Sequence, residues 1–302
     1  MRPEQYHPAH PPWATPTPTL NALIDLLNLE TLDTCHHVGR STLTGTARVY
    51  GGQLLAQSLM AMTRSANVQQ TMHSMQALFL RAGDIAKDIL YTVTPLKDGR
   101  SFSARQVTAT QDDAAIFTAT ASFHDAREGQ HERFERQPDT PSHEQCESET
   151  DFYDRVGWEQ ASSDSFCAPF FTTLFERRST QWRHPKEPGA TAPNTGFWCR
   201  VREPVGDQPA LHQALLAYFC DLDLMFTSMR PRGRGSRDSR MHGASLDHVM
   251  WMHRPLRVDD WFYYDLGSPF ASSNRGLGRG AVYQDGLVAC TVMQEGLLRE
   301  SA

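Results

Sequence analysis

Twice along this chain an apolar helical run is followed by strand-like runs that end in turn residues, and this succession limits the fold more than any single residue does. The first helix is predicted from Gly51 to about Arg64, through Leu54, Leu55, Leu59, Met60 and Met62. Strands are predicted at His73 to Leu80, Lys87 to Leu96, Ser101 to Ala109 and Ala114 to Phe123, separated by Ala-Gly-Asp, Lys-Asp-Gly and Gln-Asp-Asp. The second helix is predicted from about Ala210 to Met229, and strands follow at Ala244 to Met252, Trp261 to Leu266, Arg275 to Tyr283 and Leu287 to Gln294. Neither helix has a clear polar face, as expected of a helix wrapped by a sheet and buried almost all round. A short helix before Leu32 and an extended stretch from Cys35 to Tyr50 precede the first unit, and strand-like pieces near Phe170 to Phe175 and Gly196 to Val201 precede the second helix.

The predicted class is therefore α+β, a tandem (double) hot dog in which two antiparallel sheets each wrap a long central helix. Two such units would pair side by side, making internally the contact that a homodimer makes between subunits. The expected division is a disordered lead-in over 1–18, an N-terminal unit over 19–125, a linker over 126–163 and a C-terminal unit over 164–302. The linker is read from a charged, aperiodic composition. The repeat rests on the order of elements, since identity between the halves is slight.

A formal charge of −6 argues against nonspecific nucleic-acid binding, which needs a positive surface to release counterions. Cysteines at 35, 146, 167, 199, 220 and 290 have no CxxC spacing, so neither a zinc site nor a redox motif is expected, and reduced thiols in a cytoplasmic protein fit best. No run of about 18 apolar residues predicts a membrane span. The lead-in lacks a signal peptide's apolar region, and the final Arg-Glu-Ser-Ala is not a peroxisomal tail. Sheet edges left open after the halves pair make a homo-oligomer the expected assembly.

Chemistry is concentrated in four segments. Arg48-Val-Tyr-Gly-Gly-Gln53 opens a helix with two glycines, which bares backbone N–H groups. Asp221 and Asp223 lie on opposite shoulders of the predicted second helix, and the pattern alone does not choose between them. Ser245 begins a strand after an arginine-rich loop, and Gln294 stands near the end of the last strand. Each of these is unremarkable alone.

Together they resemble the acyl-CoA thioesterase II family of tandem hot dog enzymes. The resemblance is carried by Arg48 to Gln53, Phe79-Leu-Arg-Ala-Gly-Asp84, Asp98-Gly-Arg-Ser-Phe-Ser-Ala-Arg105, Asp221-Leu-Asp223, Ser245-Leu-Asp-His-Val-Met-Trp251, His253-Arg-Pro255, Ala271-Ser-Ser-Asn-Arg-Gly276 and Gln294-Glu-Gly296. It runs from about residue 20 to the C-terminus and is weakest across the linker. What it implies is an Asp–Thr/Ser–Gln set that binds and activates water, falling here on Asp221, Ser245 and Gln294. Serine stands where many members have threonine, keeping the hydroxyl but losing the methyl that fixes its rotamer. Gln76 stands where the family often has a second histidine, which argues against a histidine base in the first half.

The implied reaction is hydrolysis of a fatty acyl-CoA thioester to fatty acid and CoA, with no metal, no cofactor and no covalent acyl-enzyme. Asp221 would take a proton from water held by Ser245 and Gln294, while N–H groups of Gly51 and Gly52 would face the carbonyl oxygen. Alternatively those glycines only let the helix pack closely. The first helix carries Gln57 and Ser58 but no acid, so one working site per chain is expected.

Arg230, Arg232, Arg234, Arg237, Arg240, Arg254, Arg275 and Arg279 are candidate partners for CoA phosphates, or simply solvated. Met60, Met62, Phe79, Met250 and Trp251 are candidates to line an acyl channel. Cys220, with His212 or His248 as base, reads as a core thiol rather than a nucleophile. Asp247 and His248 are adjacent in a strand and point to opposite faces, which weakens a hydratase or dehydratase reading. A noncatalytic acyl-CoA-binding protein is the remaining alternative.

Overall fold

A computed structural model describes residues 19–41, 48–125, 135–158, 173–184, 188–235, 238 and 240–300, so the lead-in over 1–18 lies outside the described residues. Helix α1 (Leu20–Leu27) is capped by Thr19, whose hydroxyl accepts from the Ala22 amide at 3.2 Å, and it buries Leu20, Leu23, Leu26 and Leu27. Strands β1 (Glu30–Thr31) and β2 (His36–Gly39) lead to helix α2 (Gly51–Ser65). Then come β3 (Gln70–Phe79), β4 (Ile89–Lys97), β5 (Phe102–Gln111) and β6 (Ala114–Asp125).

The segment expected to be a linker is in part built into the second unit. Strand β7 (Glu147–Ser148) pairs with β8 (Phe175–Ser179), and helix α3 (Glu149–Arg155) follows β7 directly. Glu149 is buried against Arg177 of β8, so a charge within the expected linker serves as an internal partner. Strand β9 (Asn194–Val201) and helix α4 (Pro209–Cys220) come next, followed by a 3-10 segment (Met225–Arg232). The chain closes with β10 (Met241–Ser245), β11 (Asp247–Met252), β12 (Phe262–Ser272), β13 (Arg275–Gln284) and β14 (Leu287–Glu300).

Instead of two separate sheets, the strands form one antiparallel sheet in the order β1-β2-β4-β5-β6-β3-β11-β14-β13-β12-β9-β8-β7, with β10 added against β14. The join is β3 with β11, where Met75 faces Met250 and Leu78 faces Asp247. Each would otherwise be an open edge, and pairing satisfies its backbone groups. Two-residue turns close the β5–β6 and β13–β14 hairpins with two positive φ angles each, at Asp112-Asp113, within the expected Gln-Asp-Asp turn, and at Asp285-Gly286, which matches the right-handed twist of the flanking strands.

Helices α2 and α4 lie against each other beneath the sheet. A Cβ on Gly52 would stand 2.2 Å from the Tyr218 carbonyl oxygen, so only glycine permits this approach. Tyr50 fixes the contact: its hydroxyl donates to the Tyr218 carbonyl at 2.9 Å, and the two rings meet edge-on at 5.0 Å. The buried polar side of α2 is satisfied internally. Gln57 donates to the Leu26 and Arg40 carbonyls and accepts from Tyr91, while Gln53 donates to Arg40 and Ser41.

Helix α4 is shorter than its apolar pattern predicts. Pro209 starts it at the first turn and it ends at Cys220, because Asp223 takes a left-handed conformation (φ 61°) and breaks the α run before the 3-10 segment begins. Asp221 is consequently the C-terminal cap rather than a mid-helix shoulder. This ending places its carboxylate at the N-terminus of α2.

Candidate active site

Asp221, Ser245 and Gln294 come from the end of α4, the last residue of β10 and the inner face of β14. The Ser245 hydroxyl donates to Asp221 Oδ1 at 3.1 Å. Gln294 Nε2 donates to the same oxygen and, at 3.0 Å, to Ser245 Oγ. The Gly52 amide also donates to the Asp221 carboxylate. The other oxygen, Oδ2, faces Gly51, where an added Cβ would stand 2.6 Å away.

The electrostatics oppose one another. Burial pushes the Asp221 carboxyl above its ordinary value of 3.8, and the donors from Gln294, Ser245 and Gly52 only partly offset it. The positive end of α2 acts with those donors. A carboxylate held somewhat short of acid in a dry pocket is a better proton acceptor than an exposed one. Gln294 is fully buried, and its Oε1 has no hydrogen-bond partner among the described residues.

The two glycines differ in task. Gly52 provides the close approach of the helices and an N–H to Asp221, whereas Gly51 clears space beside Oδ2, with Phe79 as the other wall. Neither the Gly52 amide bond nor the Tyr50 anchor was legible in the sequence, since both depend on α4 ending where it does.

Other candidates fall away from the site. Cys220 is fully buried and burial drives its thiol up, so it holds its proton. His212 donates through Nε2 to the Gly206 carbonyl at 2.8 Å and accepts at Nδ1 from the Val258 amide at 3.1 Å, leaving no free base. His248 is enclosed with neither ring nitrogen hydrogen-bonded among the described residues, and burial depresses it to about 3, so it is neutral. Asp247 points the other way and accepts from the Glu295 amide at 2.7 Å.

Trp251 is 36% exposed on the face opposite Met250, so these two do not line one channel as expected. Of the arginines, Arg234 pairs with Glu300, Arg240 with Asp238, Arg254 with Asp285 and Arg275 with Glu295. Arg237 lies outside the described residues.

An antiparallel sheet on buried helices, with an acid, a hydroxyl and an amide gathered at a glycine-opened helix, defines a hot dog protein with a polar reaction pocket. A hot dog protein of Alicyclobacillus acidocaldarius superposes with a TM-score of 0.73 and 17% identity over 93% of this chain and 99% of that one, which speaks for the fold alone. The acyl-CoA thioesterase family model matches residues 168–297, and the acyl-CoA thioesterase N-terminal domain model matches residues 40–124.

Acyl-CoA thioesterase 2 of Haemophilus influenzae is 34% identical over 289 residues, covering 93% of this chain and 98% of that protein. Human acyl-coenzyme A thioesterase 8 is 32% identical, covering 91% and 88%. The acyl-CoA thioesterase II structure from Mycobacterium marinum has a TM-score of 0.74 at 30% identity, covering 92% and 98%. The chain belongs to the acyl-CoA thioesterase family.

Proposed function

We propose that this chain hydrolyses fatty acyl-CoA thioesters to free fatty acid and CoA, using water activated by Asp221. The observation that carries the reading is the convergence of Ser245 and Gln294 on Asp221 Oδ1, with Oδ2 turned to Gly51. Oδ1 is held by two side-chain donors, so Oδ2 is the oxygen that takes the proton as water attacks the carbonyl carbon. The proton then passes to the departing thiolate, the C–S bond breaks, and the acid leaves with the oxygen of water. Ser245 and Gln294 fix the acid and the water, and the barrier falls through positioning and general-base assistance.

The Gly51 N–H at the start of α2 is the proposed donor to the carbonyl oxygen, where negative charge develops. Gly52 supports it by holding Asp221. The two units are read as a double hot dog, N-terminal over 19–125 and C-terminal over 164–302, with one working site: α2 supplies glycines and α4 the acid. A cytoplasmic homo-oligomer without cofactor, metal or nucleic-acid partner fits this reading. Among the described residues no helix is long and apolar enough to cross a membrane.

A hydratase reading needs a titrating base near the substrate, and His248 is buried and neutral. The deciding experiment is release of CoA thiol from a series of acyl-CoAs by wild type and Asp221→Asn. Loss of turnover with an unchanged melting curve supports the assignment; full turnover in the variant rejects it, and binding without thiol release by the wild type leaves a noncatalytic binding protein.

A further inference from the structure

Beyond the turn that ends α4 lies a cavity of about 120 Å³ lined by residues of β8, β9 and the 3-10 segment. One water needs only ~10–15 Å³ of such space, so the cavity admits a larger group. Its walls include Arg177, Arg183, Arg230, Trp182, Phe197 and Asp223.

The charges there do not balance. Arg177 is buried and satisfied, by Glu149 and by Asp223 at 3.1 Å. Arg183 donates Nε to Pro188 O at 2.8 Å and Nη2 to Gly189 O at 2.5 Å and Arg234 O at 3.3 Å, which leaves its Nη1 without a partner among the described residues. Arg230 donates its Nε to Ala192 O at 3.2 Å, and its two terminal nitrogens have no partner among the described residues. Among the described residues neither Arg183 nor Arg230 has a carboxylate within 4.0 Å, although both line the same space. Burial and the neighbouring Arg183 push the Arg230 guanidinium down to about 10, which still leaves it charged at neutral pH.

Two cations facing one half-buried space, with their carboxylates already engaged elsewhere, need an anion from outside. Guanidinium groups match phosphoryl oxygens with paired, charge-assisted hydrogen bonds. Beside them Trp182 and Phe197 stack at 6.3 Å, giving an apolar flank for whatever carries the phosphoryl group.

We propose that this cavity binds a phosphoryl-bearing anion through Arg230 and Arg183, as a site separate from the Asp221 pocket. Asp223 belongs to the cavity and stands two residues beyond Asp221, in the left-handed turn that ends α4. An occupant that shifts Asp223 therefore shifts the acid. That effect on turnover rests on the thioesterase reading; binding does not.

The test is calorimetric titration of the full chain with pyrophosphate at low ionic strength. One binding event is expected, weakened at least tenfold in Arg230→Gln and in Arg183→Gln, partly restored in Arg230→Lys, and unchanged in Asp221→Asn. Equal binding by wild type and a folded Arg230→Gln, judged by its thermal melt, overturns the proposal, as does no binding by wild type at millimolar pyrophosphate. Kinetics separate the two sources of the group. A raised KM of Arg230→Gln for acyl-CoA but not for acyl-pantetheine, which lacks the nucleotide phosphates, assigns the cavity to the substrate's own phosphates. Unchanged KM for both, with pyrophosphate altering kcat only when Arg230 is present, assigns it to a separate ligand. Failure of Asp221→Asn to lose turnover would sink the function while leaving the binding result standing.

Discussion

A methyl group added to the α-carbon of Gly51 would lie 2.6 Å from Oδ2 of Asp221, inside contact distance. Its neighbour Gly52 is hemmed by something less yielding, the Tyr218 carbonyl at 2.2 Å. The same substitution therefore separates two effects. Gly51→Ala should displace the carboxylate and lower turnover by about 100-fold with the fold kept. Gly52→Ala forces the two helices apart and should cost about 1–3 kcal/mol of stability as well. Thermal melts beside thiol-release rates check the pair, and equal destabilisation by both changes would contradict it.

The acid limb of the rate profile should report Asp221. Its carboxyl is raised above 3.8 by burial, so activity, which in the proposed mechanism needs the ionised form, should fall with a midpoint above 3.8 as pH drops. Gln294→Ala removes a donor that favours the ionised form and should move the midpoint higher still while lowering kcat. A midpoint at or below 3.8 in wild type would show that the carboxylate is not desolvated. For stability the sign is opposite to that of a salt-bridged acid. The folded state holds the proton more tightly, so Asp221's contribution is present below pH 3.8 and is lost as pH rises through the raised value.

Cys220→Ala should keep essentially full turnover. The thiol is enclosed in the core and held protonated by burial, so its loss removes packing only and should lower stability by about 1 kcal/mol. Inactivation by this change, with the melt unaltered, would restore the thiol as a nucleophile.

Arg177→Met should be among the most damaging single changes outside the Asp221 pocket. It strands the buried Glu149 carboxylate, a loss of about 3–5 kcal/mol. Replacing both partners, as Arg177→Met with Glu149→Leu, should cost less than the single change, because no buried charge is left alone. Urea melts of the two singles and the double decide it, and simple additivity would refute the coupling.

The parts of the site readable in the sequence were those with local signatures. A glycine pair opening an apolar run, and an acid, a hydroxyl and an amide in motifs that resemble a known family, needed no coordinates. The β-hairpins were readable for the same reason, since Asp112-Asp113 and Asp285-Gly286 tolerate positive φ where they stand. What escaped depended on distant contacts. The apolar pattern of α4 continues to Met229, and nothing local announces that Asp223 turns left-handed. Glu149 falls in the charged, aperiodic stretch expected to be a linker, and its partner Arg177 is remote in the chain. Trp251 and Met250 differ by one position, and assigning both to one channel ignored the alternation of a strand.

The halves that meet at the β3–β11 seam lie on one polypeptide, which carries both the glycine end of α2 and the acid end of α4. Where two separate subunits would have to find each other before their pocket existed, these halves meet at a local concentration that dilution does not change. Specific activity per chain should therefore stay constant however thin the solution becomes, and neither half is obliged to remain a faithful copy of the other.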